Sequence, residues 1–338
     1  MEFRDFIAAK WGENMTGKYT ALDSHMQGWR AVRQVICLVV LLIAASAAMP
    51  APLVQKSFAS PEAAVAALAD AIKSGSKAQL TSILGPNAGK LITSGDPVAD
   101  ENGRAAFTKA YGETNKLEFD GDARAVLVIG KDSWPFPIPL VKNQDKWKFD
   151  TEQGEQEILI RRIGRNELAA IQVCLAVVDA EHEYAASHLD KDGVPNYTPR
   201  IVSTPNKRDG LYWTATPNEP ASPLGPFMAA AADEGYTPQH SMVQTPYHGY
   251  FYRILGAQGK NAPGGEYQYT IRGKMIGGFA VIAYPARYGA SGIKTFIVNH
   301  EGVVLEKDMG KDTANVAANM KSYDPDATWN EVEILSKK

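Results

Sequence analysis

Two serine–lysine pairs are the most chemically suggestive short motifs in this chain: Ser74-Gly75-Ser76-Lys77 and Ser291-Gly292-Ile293-Lys294. In an S-x-x-K arrangement a lysine one helical turn on can take the proton of a serine nucleophile. The companion motifs of that chemistry, S-D-N and K-T-G, do not occur, and both pairs lie in glycine-containing turns, where a solvated loop is the simpler expectation. The sequence also lacks G-x-S-x-G, a phosphate-binding glycine loop and G-x-G-x-x-G. No catalytic residue is assigned.

Metal-binding patterns are fragmentary. His182-Glu183 opens like H-E-x-x-H, but Ala186 stands where the second imidazole belongs and the next histidine is His188. His182 is therefore expected to be a hydrogen-bonded structural histidine. His240 and His248 lie in a loop from which they could meet His188. Asp190-Lys191-Asp192-Gly193 is a fragment of a calcium loop without the remaining ligands, and a helix-ending turn accounts for it more simply. No metal and no cofactor is expected.

Binding candidates are better defined. Arg161, Arg162 and Arg165, followed by Asn166 and Glu167, form a polar cluster. Either they bridge two domains through ion pairs with Asp150, Glu152 or Glu155, which is the favoured reading, or they form an anion site, since guanidinium forks suit carboxylate and phosphate. A second candidate is an aromatic face for carbohydrate or peptide built from Tyr212, Trp213, Tyr250 and Tyr252, with Tyr247 and Phe251 beside them. Such residues more often fill the core of a small sheet.

The elements that must position these groups follow from periodicity. Ser60-Pro61 is an N-cap with proline at the first helical position, and the apolar spacing predicts helices over 61–73 and 77–84, then a third over 103–111. The period then changes to strand-like in "ARAVLVIG", "PFPIPLV" and "KWKFD", with a polar turn at Asn143-Gln144-Asp145. From about Glu155 the pattern is helical to His188, with an apolar seam at Leu168, Ile171, Leu175, Val178, His182 and Ala185. Gly164 is a position where that helix can bend or break. Cys174 within it reads as a buried, inert thiol.

Residues 190–247 are rich in Pro, Asn, Asp and Gly, with a strand-like "GLYW" and a short helix over 227–234. The segments "YFYRIL", "EYQYTIRG", "GGFAVIAYP", "KTFIVNH" and "GVVLEKD" predict an antiparallel meander, closed at one end by a hairpin at His300-Glu301-Gly302. The last thirty residues are polar and are expected to trail over the surface. Two α+β domains result, over 58–153 and 154–325, the second a long scaffold helix packed on its sheet.

The chain has 338 residues and a formal net charge of −3, so no basic footprint points to nucleic acid. Near the start, Arg30 and Arg33 precede an unbroken apolar run of 11 residues, Val35 to Ala45, and Ala45-Ser46-Ala47 offers small residues for cleavage. This reads as a signal peptide over 1–47, with Met26 as an alternative true start and cleavage after Ala47. The run is short for a bilayer-crossing helix, which needs roughly 20 residues, although a retained anchor over 35–49 stays open. Cleavage would remove Cys37 and leave Cys174 as the only cysteine, so no internal disulfide is expected.

Taken together, "RRIGRNEL", "KRDGLYW", "SPLGPF", "GYFYRIL", "AYPARYGASGIKTFIVN" and "GVVLEKDMG" resemble the bacterial secreted family catalogued as domain of unknown function 2950, over about residues 58–325. The resemblance implies export and domain limits, and no activity. The order of the first domain is similar to the cystatin-like cone. The long helix and meander of the C-terminal half resemble the globular part of type IV pilins, but here the helix follows a soluble domain and opens on three arginines. The reading is an exported protein of unknown biochemical activity, periplasmic or secreted, and a non-catalytic binding or structural module of the cell envelope. Its partner would be an envelope protein or a small ligand, with membrane contact only through an uncleaved signal segment. The alternative is a periplasmic hydrolase with a Ser/His site on loops 190–250.

Overall fold

A computed structural model of the protein describes residues 54–189, 193–216, 218–237 and 245–333. The segment expected to be a signal peptide, with Met26 and Cys37, residues 190–192 of the calcium-loop fragment, and His240 lie outside the described residues. No helix among the described residues is long and apolar enough to cross a membrane.

Helix α1 spans Pro61–Ser74, where Ser60 accepts from the Ala63 amide, and α2 spans Lys77–Leu84, capped in the same way by Ser76. A single turn, α3 (Gly89–Ile92), precedes α4 (Pro97–Glu113). The sequence reading starts α4 at Gly103, whereas its true N-cap is Asp96, followed by proline at the first position. Gly103 sits in the helix interior at a cost of about 1 kcal/mol relative to alanine, and that penalty is what hides the first turn and a half from periodicity.

The first sheet is antiparallel: β1 (Asn115–Asp120), β2 (Arg124–Ile129), β4 (Leu140–Asn143) and β5 (Lys146–Phe149) in that order, with β3 (Trp134–Pro135) also on β2. β1 has no counterpart in the sequence reading, because five of its six residues are exposed and it carries no alternating apolar signal. The proline-rich segment divides into β3 and β4, as residues without amide hydrogens require. In the β4–β5 turn both Gln144 (φ 47°) and Asp145 (φ 60°) are left-handed, the geometry of the tightest hairpins. Leu68, Leu127, Ile129, Ile138, Leu140 and Phe149 form the centre of the core between α1, α2 and this sheet.

Helix α5 then runs without interruption from Thr151 to Ser187, 37 residues and about 55 Å at the α-helical rise. Gly164 does not break it. Its first turn lies so close to the chain at 137–138 that a Cβ on Gly154 would stand 2.6 Å from the Pro137 carbonyl oxygen. The buried seam is also rotated from the expected one. Ala170, Ile171, Cys174, Val177, Val178, Glu181 and Tyr184 are buried, while Leu168 is 67% exposed and His182 is exposed. Cys174 is fully buried, and burial pushes its thiol up to about 12.

Beyond it come α6 (Gly225–Asp233) and a five-stranded antiparallel sheet ordered β14, β13, β12, β11, β6. Its strands are β6 (Tyr250–Leu255), β11 (Ala280–Pro285), β12 (Lys294–Asn299), β13 (Val304–Asp308) and β14 (Asn330–Glu331). The expected strand "EYQYTIRG" is instead split between two short ribbons, β7 (Ala257–Gln258) with β8 (Tyr267–Gln268) and β9 (Thr270–Ile271) with β10 (Lys274–Met275). Helix α5 packs on β11 and β12 of the large sheet, whose residues Val281, Ile282, Phe296 and Ile297 are buried in a second core. The last thirty residues do not simply trail. Helix α7 (Thr313–Asn319) buries Thr313 and Ala317, the Arg253 guanidinium donates to the Ala317 and Met320 carbonyls, and β14 extends the sheet. The described residues form one compact mixed helix and antiparallel-sheet unit with these two cores.

A carboxyl group, Glu181, enters the second core. Glu181 is fully buried; its Oε2 accepts from the Thr198 amide at 3.0 Å and its Oε1 has no partner among the described residues. Burial pushes the carboxyl up to about 8, against the smaller pull of the Thr198 amide. The folded chain therefore holds a proton that the unfolded chain releases near 4.5, so the stability from this group is full below about 4.5 and is lost as pH rises through about 8. The melting temperature is expected to fall between pH 5 and 9, and Glu181→Gln is expected to flatten that slope. An unchanged slope in the variant would place the titration elsewhere.

Candidate functional site

Of the polar residues that the sequence singles out, Arg162, Asn166 and Glu167 meet neighbouring segments along the middle of α5. Asp96 organises the place. Its carboxylate is fully buried and accepts four hydrogen bonds: Oδ1 from the Val98 and Ala99 amides at 3.1 Å each, Oδ2 from the Tyr236 hydroxyl at 2.9 Å and the Gly249 amide at 2.8 Å. It thus caps α4 and ties it to the chain on either side of residues 238–244. Gly249 has φ 77°, and a Cβ there would stand 2.5 Å from Asn166 Nδ2 and 2.9 Å from the Ser291 Cβ. Backbone, α5 and the 286–294 loop meet with no space to spare.

Around this point α5 is stitched on both sides. Asn166 donates to the Ser291 carbonyl at 2.9 Å, and Glu167 Oε1 accepts from the Ile293 and Lys294 amides at 2.9 and 3.0 Å. Arg162 reaches the other way and donates to the Lys90 and Leu91 carbonyls at 2.6 and 2.9 Å. Arg287 adds bonds to the Gly89 and Thr93 carbonyls, both at 2.9 Å, so two guanidiniums close the C-terminal end of α3. The expected ion pairs with Asp150, Glu152 and Glu155 do not form. The partners are backbone carbonyls and amides, which periodicity and charge counting do not reveal. Arg161 stands apart, paired with Glu157 at 2.6 Å on the surface, and Arg165 is exposed.

The reactive motifs become parts of this framework. Ser291 is fully buried; its hydroxyl accepts from the Arg287 amide at 3.0 Å and donates to the Arg287 carbonyl at 3.2 Å. Lys294 turns away to Glu306 at 2.9 Å, and that partner holds its ammonium above the usual lysine range. The other pair is a helix joint rather than a loose loop, since Ser74 donates to the Ala71 carbonyl and Ser76 caps α2. A groove of about 520 Å3 opens beside it, lined by Lys73, Ser74, Gly75, Glu101, Arg104 and Lys109. Arg104 pairs with Glu101, and positive charge here also suits the negative end of α1.

Among the described residues the histidines do not form a catalytic pair. His188 Nδ1 lies 3.0 Å from the Ser187 hydroxyl, but it also lies 2.9 Å from the Tyr184 carbonyl oxygen, which only accepts. That nitrogen therefore carries the hydrogen and cannot take a serine proton. His182 Nε2 is likewise held by the His300 carbonyl at 3.0 Å, the structural role expected of it. His248 lies 3.3 Å from Glu234. No cluster of three metal-binding side chains occurs among the described residues. The aromatic face divides: Tyr250 and Tyr252 are fully buried core residues, with Tyr250 donating to the Lys294 carbonyl. Tyr212 and Trp213 are half-buried, and the Trp213 indole donates to the Pro220 carbonyl.

Residues 55–332 match a family model described as a protein of unknown function (DUF2950). No curated protein and no solved structure matches.

The Asp96 bonds give a direct test. Asp96→Asn keeps a competent cap but turns an amide toward the Gly249 N–H; leaving that donor orphaned costs about 2 kcal/mol, or roughly 4–8 °C in melting temperature. Gly249→Ala is expected to lower it further, because the clash and the positive φ act together. Thermal unfolding followed by circular dichroism measures both. An Asn variant that melts with the parent would show that the carboxylate does not join the two sides.

Proposed function

The chain belongs to the family described as protein of unknown function (DUF2950), and on that premise we propose that it is an exported, non-catalytic binding or structural module of the cell envelope. The observation that carries the reading is how the reactive side chains are used. Asn166 and Glu167 direct their hydrogen bonds to the backbone of the 291–294 segment, and Ser291 directs its own to the Arg287 backbone within its loop. A nucleophile or general base needs a free lone pair facing a substrate, and these groups face the protein.

Export rests on the N-terminal sequence, with two arginines, an apolar run of 11 residues and a small-residue cleavage site ending at Ala47. The periplasm or the exterior is then the working compartment. A single buried cysteine suits such a compartment, because it offers an oxidant no accessible thiol. We read residues 58–153 and 154–325 as two structural parts sharing α5, in which a long helix and an antiparallel meander follow a smaller cone-like sheet.

The test is the mass of the protein isolated from its own envelope fraction under native conditions. The expected species starts at Ala48 and carries a reproducible adduct or partner. A chain that retains residues 26–47 would replace export by membrane anchoring. A cleaved chain that carries nothing would count against a tight-binding role.

A further inference from the structure

The carbonyl bonds that hold Arg162 and Arg287 leave part of each guanidinium unused. Arg162 donates once from each terminal nitrogen, and Arg287 donates twice from Nη1 alone. A guanidinium has five N–H groups, so three remain on each without a partner among the described residues. Two further cations stand beside them. The Lys90 ammonium lies 2.9 Å from where a Cβ on Gly289 would be, two residues after Arg287. Arg165 is one turn along α5 from Arg162. Burial lowers the Arg162 pKa, Arg165 and Arg287 lower it further, and only Asp100 opposes them, which places Arg165 and Arg287 each within electrostatic range of Arg162.

No carboxylate among the described residues pairs with any of the four. Asp100 is committed elsewhere, accepting from the Thr93 hydroxyl at 2.9 Å and from the Ser94 amide and hydroxyl at 3.0 and 2.7 Å. Lys90 and Arg165 are exposed, while Arg162 and Arg287 are half-buried and immobilised. Four like charges gathered in one place cost stability unless they serve a counterion. Fixing two guanidiniums in advance also removes much of the ordering cost of binding.

We propose that Lys90, Arg162, Arg165 and Arg287 form an anion site for a phosphate group, either a free phosphate species or the headgroup of an anionic phospholipid. The chemistry favours phosphate over a single carboxylate: a tetrahedral dianion offers enough oxygens for several donors, and planar guanidinium forks grip them in pairs. The site differs from the one read in the sequence. Arg161, Asn166 and Glu167 drop out because Glu157 and the 291–294 backbone hold them; Lys90 and Arg287 enter from distant parts of the chain. This assignment deepens the binding-module reading and rests on it.

The experiment uses the full folded chain at low ionic strength with three probes: inorganic phosphate, pyrophosphate, and vesicles of phosphatidylglycerol against phosphatidylcholine. The variants are Arg165→Gln and Lys90→Gln, whose side chains hold nothing together among the described residues, so folding is preserved. Calorimetric or sedimentation titration is expected to show binding that weakens about tenfold for each variant and fades with added salt. Binding of the soluble anions assigns a free phosphate ligand; binding confined to phosphatidylglycerol vesicles assigns a lipid headgroup. Failure of the parent chain to bind any probe, or binding that both variants leave unchanged, would overturn the site. Neither result touches the envelope-fraction mass, so the broader reading stands or falls on its own measurement.

Discussion

Burying a carboxylate is costly unless every lone pair is used, and Asp96 uses its oxygens on four donors from three segments. That requirement fixes the start of α4, the position of Tyr236 and the course of the chain through Gly249 together. Once Gly249 is in place, Asn166 and Ser291 can only pack against its bare backbone, which sets how α5 and the 286–294 loop approach it. A single acidic side chain thereby couples the N-terminal helices to the large sheet, although the two hydrophobic cores have no buried residue in common.

Helix α5 supplies the other half of that coupling. Its first turn leans on Pro137 and Ile138, its middle reaches α3 through Arg162 and the sheet loop through Asn166 and Glu167, and its last turns fill the second core. Most of a helix's stability in a folded protein comes from packing rather than propensity, and packing at both ends is what carries this one unbroken through Gly164. The polar bonds at its middle are to backbone groups. Such bonds are directional and indifferent to salt, which suits a rigid joint better than exposed ion pairs would.

Cations gathered for structural reasons can acquire a second use. Arg162 and Arg287 are needed to satisfy the carbonyls at the end of α3, and a guanidinium brought there for two hydrogen bonds arrives with three more. The same economy explains why the sequence motifs for catalysis proved poor guides. Serine, histidine and lysine are also good cap, turn and seam residues, and here Ser76, Ser291 and His188 end or join elements.

The order of elements was legible in the sequence because local rules set it. Ser60-Pro61 marked α1, apolar spacing marked α2, and short apolar strand-like runs marked β2, β6, β11 and β12. The α+β class, the buried Cys174 and the structural role of His182 followed in the same way. What local rules cannot supply is which distant backbone group will face a side chain. The sequence placed Arg161, Arg162 and Arg165 in one cluster, and only the tertiary structure sent one to Glu157, one to α3 and left one exposed. Asp96 looked like an ordinary residue before a proline, and Lys90 and Arg287 are separated by almost two hundred positions. Burial and hydrogen-bond satisfaction decide their roles, and both depend on the whole fold rather than on neighbours in the chain.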